Sequence, residues 1–314
     1  MHALPDVKTI EAFRAWRADP SRCLPAALDI ARSHGLPHGD PQLFPTGTNL
    51  VVALDDRLVL KLFPPLLRHQ FVWERLTLSQ LRGKLSLPIP EIVIEGDRWP
   101  YLVITRLQGV VGAEAWPILP EDQKERVLGQ IGETIAEVQR APVGELSGIE
   151  PRWAEFISGQ IEGCRARHQR LGLPRRFLDG LDHLLRDAAA LIPMNAPPVI
   201  LTGEYIPQNF LLSRQGGDWR LAGLFDFGDV MTGWKEYDLL GPSAFMTAGM
   251  PRRVESLFRG FGYSRADINS TLKRRLMALM LLHRASDPIR HICIDGWQQK
   301  AGDLLELQEL LWPA

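Results

Sequence analysis

The sequence predicts an α+β chain in two parts: a small, mostly antiparallel sheet with one inserted helix, then a larger and mainly helical part. Three observations predict it. Short runs rich in β-branched and apolar residues ("NLVVAL", "DRLVLKLF", "EIVIEG", "WPYLVITRL") crowd the stretch 42–106, bounded by Gly, Pro or Asp pairs. Between the second and third of these runs, Leu67, Phe71, Glu74, Leu78 and Leu81 recur at helical spacing. Beyond Arg106 the period changes: 120–140, 151–192 and 250–311 read as helices, interrupted near 199–228 by the apolar runs "PVILTG", "NFLLS" and "RLAGLFDFG".

Taken in order, residues 9–34 carry helix-like spacing in two pieces, Ile10, Phe13, Trp16 and then Leu24, Ala27, Leu28, Ala31, separated by "DPSR". The expected division is therefore 1–106, with a helical lead-in over 1–38 and the sheet over 42–106, followed by 107–314. At 314 residues, 45% hydrophobic and 23% charged, the chain is ordinary globular material, which excludes disordered and collagen-like classes. A net charge of -1 gives no field that would recruit nucleic acid. Cys23, Cys164 and Cys293 are scattered, without a CxxC pair, and are expected as buried thiols in a reducing compartment. The N-terminal "MHALPDVKTIEAFRAW" has no basic segment followed by an apolar run, and no stretch reaches the ~18 apolar residues of a membrane span. The expectations are a cytoplasmic protein with no membrane partner, monomeric or weakly dimeric.

The chemistry concentrates in "VILTGEYIPQNFLLSRQGGDWRLAGLFDFGD". Glu204 is followed five positions later by Asn209 and then by Asp226 in a strand-flanked "DFG". Phosphoryl transfer needs an acid to orient the attacking hydroxyl and oxygen ligands to hold magnesium against nucleotide phosphates, presented by short loops at strand ends. "RQGGD" reads as the turn of a hairpin between Asn209 and Asp226. Lys61, a cation among the apolar residues of "LVLKLF", requires a partner if buried, and Glu74 lies thirteen positions on in the inserted helix. Such a pair would fix the ammonium on phosphates. "FPTGTNLVVAL" supplies a turn at Gly47, Thr48 and Asn49 whose N–H groups suit phosphate oxygens. Each element alone has a plainer reading: Lys61 as a strand-edge charge, Glu74 as a solvated helix residue, Gly47, Gly203 and Asn209 as turn residues, Asp226 as the start of a turn. Their order is what favours the chemical one.

With these residues in place, the sequence resembles the aminoglycoside phosphotransferase and choline kinase-like family, of protein-kinase-like fold. The family's "HGDLHxxN" and "IDFxD" correspond here to "TGEYIPQN" and "FDFGD". The likeness runs from "PTGTNLVV" to "EYDLLGPSAF", and "LMALMLLHRASD" with "LLELQELLWP" is similar to hygromycin B O-kinases. The resemblance implies a two-lobed molecule, nucleotide bound by the N-terminal lobe, and transfer of the γ-phosphate of ATP or GTP with Mg2+ to a hydroxyl of a small molecule such as an aminoglycoside. It implies Glu204 as the catalytic carboxylate, where the family has aspartate, with Thr202 where the family has histidine. It implies Asn209 and Asp226 as magnesium ligands and catalytic residues, Lys61 on phosphates braced by Glu74, Thr105 and Leu107 on the adenine, and Asp229 and Asp238 as supports of the catalytic loop. Alternatives are a catalytically silent nucleotide-binding relative, a kinase of an amino alcohol or sugar, and nucleotidyl transfer. From 248 to 314 there are ten Lys or Arg against seven Asp or Glu, so charge does not mark a polycation site. Asp287, Asp295 and Glu236 are expected as surface or capping carboxylates, and His283 and His291 as packed or solvated.

Overall fold

The computed structural model describes residues 4–313, leaving aside the side chain of residue 189. The chain divides into two compact units. The first runs to Gly83 and takes in Pro88–Gln108 and Leu224–Asp229; the second comprises Lys84–Leu87, Gly109–Gly223 and the chain from Val230 onward.

In the first unit five antiparallel strands, β1 (Gln42–Phe44), β2 (Leu50–Ala53), β3 (Leu58–Leu62), β4 (Ile92–Gly96) and β5 (Tyr101–Thr105), are arranged β1-β2-β3-β5-β4. Two helices precede them, α1 (Ile10–Arg17) and α2 (Pro20–Ser33), and α3 (Arg68–Leu81) is inserted after β3. The "DPSR" segment starts a helix as much as it ends one. Asp19 accepts a hydrogen bond from the Ser21 N–H and Pro20 occupies the first helical position, where its missing N–H costs nothing. Because strand side chains alternate, Leu60 and Leu62 of β3 point to the face packed by Phe13, Trp16, Ala27 and Ala31 of α1 and α2. Lys61 between them points to the other, toward Glu74 of α3. As β3 is the middle strand, Lys61 is no edge charge.

The second unit holds short strands β6 (Val110–Val111), β7 (Val199–Leu201), β8 (Phe210–Gln215), β9 (Asp218–Leu224) and β10 (Met231–Gly233) among helices. These are α4 (Gly112–Ala115), α5 (Glu121–Arg140), α6 (Trp153–Arg170), α7 (Arg175–Leu191), α8 (Leu240–Phe245), α9 (Pro251–Phe261), α10 (Ser270–Leu282), α11 (Pro288–His291), α12 (Trp297–Lys300) and α13 (Leu304–Leu311). The expected hairpin is present: β8 and β9 are neighbours joined through Gly216 and Gly217, both with positive φ. Helices α5 and α9 meet backbone to backbone, since a Cβ on Gly132 would lie 2.2 Å from the Leu257 carbonyl and one on Gly260 2.0 Å from that of Gly129.

Two expectations are corrected. Cys293 is exposed while Cys23 and Cys164 are buried, because its neighbours Ile292 and Ile294 turn inward and leave the thiol outward. Glu236 is neither a surface nor a capping residue: it is fully buried and accepts from Nε and Nη2 of Arg275, with further donors from Trp234 and Tyr263.

Candidate active site

The candidate residues are divided between the two units. In the first, the Lys61 ammonium lies 2.6 Å from Glu74 Oε2 and 2.7 Å from Asp226 Oδ1. Burial works against its charge, but the two carboxylates outweigh it and raise the pKa. Burial pushes Glu74 up to about 7 against the pull of Lys61. Asp226, although burial opposes it, is held below its usual value by Lys61 and the Gly228 N–H. Asp226 also adopts φ 68°, a left-handed conformation that costs a non-glycine residue on the order of 1 kcal/mol and that aspartate tolerates better than most. Asp229 accepts from Gln70 Nε2 at 3.4 Å.

The Gly47 turn connects β1 to β2 with φ 90° at the glycine. Arg17, at the end of α1, donates through Nη1 to the carbonyls of Thr46, Gly47 and Asn49. With the carbonyls drawn to one cation, no N–H of Gly47, Thr48 or Asn49 donates a hydrogen bond among the described residues. That is the condition for receiving phosphate oxygens. Thr105 ends β5, its N–H donating to the Glu91 carbonyl and its hydroxyl accepting from the Glu91 N–H. Leu107 follows beyond the strand, half-buried.

In the second unit, β7 ends at Leu201 and the chain turns at Gly203 (φ 73°) into Glu204. Asn209 donates through Nδ2 to the Glu204 carbonyl at 3.1 Å and to its carboxylate at 3.3 Å, so the two side chains are set by one short loop. Asp238 accepts from the N–H groups of Thr202 (3.2 Å) and Gly203 (2.8 Å) and is itself steadied by Gln139. Burial raises Asp238 to about 7, opposed by those donors. On the carbonyl side, His283 reaches Gly203 O at 3.3 Å through Nε2. Its Nδ1 accepts from the Ala285 N–H, which assigns the proton to Nε2 and makes Nε2 the donor. Stacked on Tyr237 at 4.5 Å, the ring is kept neutral, burial and then Arg284 lowering its pKa to about 3. A cavity of about 240 Å3 opens beside this loop, lined by Gly203, Glu204 and Ile206 together with α8, the end of α10 and α11.

The structure thus brings Lys61, Glu74 and Asp226 together in one unit and Glu204, Asn209 and Asp238 in the other. Arg17, Gln139 and the role of His283 at Gly203 were missed by sequence reading. Their partners lie far away in sequence, from 29 positions for Arg17 and Thr46 to 99 for Gln139 and Asp238, with no local pattern to mark them.

The fold is similar to solved phosphotransferase structures. The GDP and kanamycin complex of APH(2")-IIia superposes with TM-score 0.67 at 19% identity, covering 82% of this chain and 89% of that one. Macrolide 2'-phosphotransferase MphH from Brachybacterium faecium gives 0.57 at 20% identity, covering 82% and 90%. A thermostable mutant of aminoglycoside phosphotransferase APH(4)-Ia in ternary complex with ADP and hygromycin B gives 0.54 at 19%, covering 82% and 87%. At these identities the likeness fixes the kinase-like fold alone. No match was found among curated proteins. Residues 46–271, well over half of the chain, match the phosphotransferase enzyme family. The resemblance read from "TGEYIPQN" and "FDFGD" therefore holds: the chain belongs to the phosphotransferase enzyme family and is a phosphotransferase acting on hydroxyl groups.

Proposed function

We propose that the chain moves the γ-phosphoryl group of ATP or GTP to a hydroxyl of an antibiotic-type small molecule held beside Glu204. The observation that carries this reading is Lys61 clasped between Glu74 and Asp226, a buried cation prepared for phosphate oxygens. The acceptor oxygen forms a bond to the γ-phosphorus as the bond to the β,γ-bridging oxygen breaks. The hydroxyl proton passes to the Glu204 carboxylate and the nucleoside diphosphate leaves. The transition state is loose, so positioning and charge dominate and a longer carboxylate on a braced loop suffices. The Gly47, Thr48 and Asn49 N–H groups serve the phosphates, and Thr105 and Leu107 serve the base.

The donor set suits magnesium. No group of three or more His, Cys, Asp or Glu placed to hold a metal ion by themselves occurs among the described residues, but Mg2+ is ordinarily held by one or two protein oxygens plus substrate phosphates. Asn209, whose amide nitrogen is committed to Glu204, keeps its amide oxygen for that task, and Asp226 supplies a carboxylate. The ion would neutralise charge developing on the phosphates. An aminoglycoside such as hygromycin B is the acceptor that the sequence resemblance supports.

The test is magnesium-dependent nucleotide turnover driven by a hydroxylated acceptor. Asp226→Asn, which keeps the shape and favours the same left-handed backbone, should lower kcat at least ~100-fold. Unchanged turnover would sink the assignment. A second reading, a silent nucleotide-binding protein, has one observation in its favour: Glu204 and Thr202 occupy the family's aspartate and histidine positions. Glu204→Asp separates the two, since a tuned enzyme loses activity by roughly 10²-fold on misplacement of its carboxylate whereas a silent one gains.

A further inference from the structure

The cavity beside Glu204 has a chemistry at odds with a polycationic ligand. Its wall is formed by Leu240, Ala244, Phe245, Met280, Pro288 and Ile292. Its charged lining side chains are two carboxylates, Glu204 and Asp287. Asp287 is already half committed: it caps α11 by accepting from the Arg290 N–H at 3.3 Å and lies 3.6 Å from the Arg290 guanidinium. The two histidines in the lining, His283 and His291, are both kept toward the neutral form by burial, and His283 has spent its N–H on Gly203. Each ammonium group brought into such a space needs a carboxylate or stays desolvated and unpaired.

One polar group in the lining lacks a partner. Ser286 is 7% exposed, and its Oγ makes no hydrogen bond among the described residues, although its N–H donates to the His283 carbonyl at 2.9 Å. A buried hydroxyl left unsatisfied is destabilising, and a ligand oxygen or nitrogen in the cavity would offset this. At about 240 Å3 the space is smaller than the ~300–1,000 Å3 of a whole drug-sized site, and suits one ring of a larger molecule.

We infer that the cavity receives a single ring of an acceptor whose body is mainly apolar and carries at most one positive charge, with the Ser286 hydroxyl and the Asp287 carboxylate as its polar contacts. This rests on the reading that the hydroxyl phosphorylated is the one presented to Glu204, and it narrows the acceptor away from aminoglycosides rich in amines.

The experiment uses the full chain with ATP and Mg2+ and compares a macrolide bearing one amino sugar with kanamycin, a polycation. Acceptor-dependent ADP release should favour the macrolide at least ~100-fold in kcat/KM, the size expected when a site leaves charged groups unpaired. In parallel, calorimetric binding of the macrolide should weaken ~5- to 10-fold in Ser286→Ala. Asp287→Asn retains a capping residue and should weaken the amine-bearing macrolide while leaving a neutral N-acyl derivative unaffected. Preference for kanamycin, or failure of the macrolide to bind, overturns the inference. Macrolide binding without turnover keeps the cavity assignment and breaks the reading that the phosphorylated hydroxyl is the one presented to Glu204, whereas turnover of kanamycin alone does the reverse.

Discussion

Lys61 touches two carboxylates, and its side chain is 6% exposed while that of Glu74 is 2% exposed. Removing the cation would leave Glu74 buried without a counter-charge and Asp226 in a left-handed backbone without its anchor. Lys61→Met should therefore cost about 3 kcal/mol, at the low end for breaking a buried pair because Glu74, already lifted to about 7, can take up a proton. Urea denaturation at pH 8 would check it, and a loss under about 1 kcal/mol would show the pair to be dispensable for stability. Lys61 and Glu74 were legible in sequence because a strand cation and a helix carboxylate thirteen positions apart fall on facing elements. Ser286 and His283 were not, since a serine and a histidine after a helix acquire meaning only when the chain folds them onto Gly203 and a cavity. Asp287 was half legible: its capping role follows from the following Pro288, its place in the lining does not.

Among the elements, α1 has a task beyond packing. Its apolar face, Phe13 and Trp16, docks on the sheet, and this sets Arg17 one residue later over the Gly47 turn. The matched family region begins at residue 46, so this contact comes from outside it. If the guanidinium organises the turn for nucleotide phosphates, Arg17→Ala should raise KM for the nucleotide ~5- to 10-fold and leave the acceptor KM and kcat unchanged. Arg17→Lys should recover little of this, because one ammonium lacks the rigid fork of the guanidinium. Steady-state kinetics with each substrate varied in turn decide it, and an unchanged nucleotide KM would return Arg17 to a structural role. Elements were the best-read level of the sequence. The period change at Arg106, the β8–β9 hairpin and α3 all follow from local patterns, whereas the exposure of Cys293 and the burial of Glu236 depend on which face of a short segment meets the core.

Across the whole molecule, buried groups of opposite tendency share one pH window. Glu74 and Asp238 are each raised to about 7, so the stability they contribute is complete below their unfolded values near ~4 and is lost as the pH climbs through 7. His168, His283 and His291 are lowered, His283 to about 3, so theirs is complete above ~6.5 and is lost as the pH falls. Carboxylates held low, such as Asp226 and Glu121, are ionised in both states above about pH 5.5 and stay silent there. Between pH 5.5 and 7 the two slopes oppose, and the folding free energy should vary by no more than about 1 kcal/mol. Single substitutions unmask the halves. Asp238→Asn keeps an acceptor oxygen for the Thr202–Gly203 turn but removes a raised acid, so stability should climb with pH by up to ~1.4 kcal/mol per unit. His283→Gln removes a lowered base, so stability should fall with pH by a similar amount. Denaturant titrations of the three proteins at pH 5.5, 6.25 and 7 give the slopes, and parallel profiles would mean that neither group titrates differently in the folded and unfolded chain.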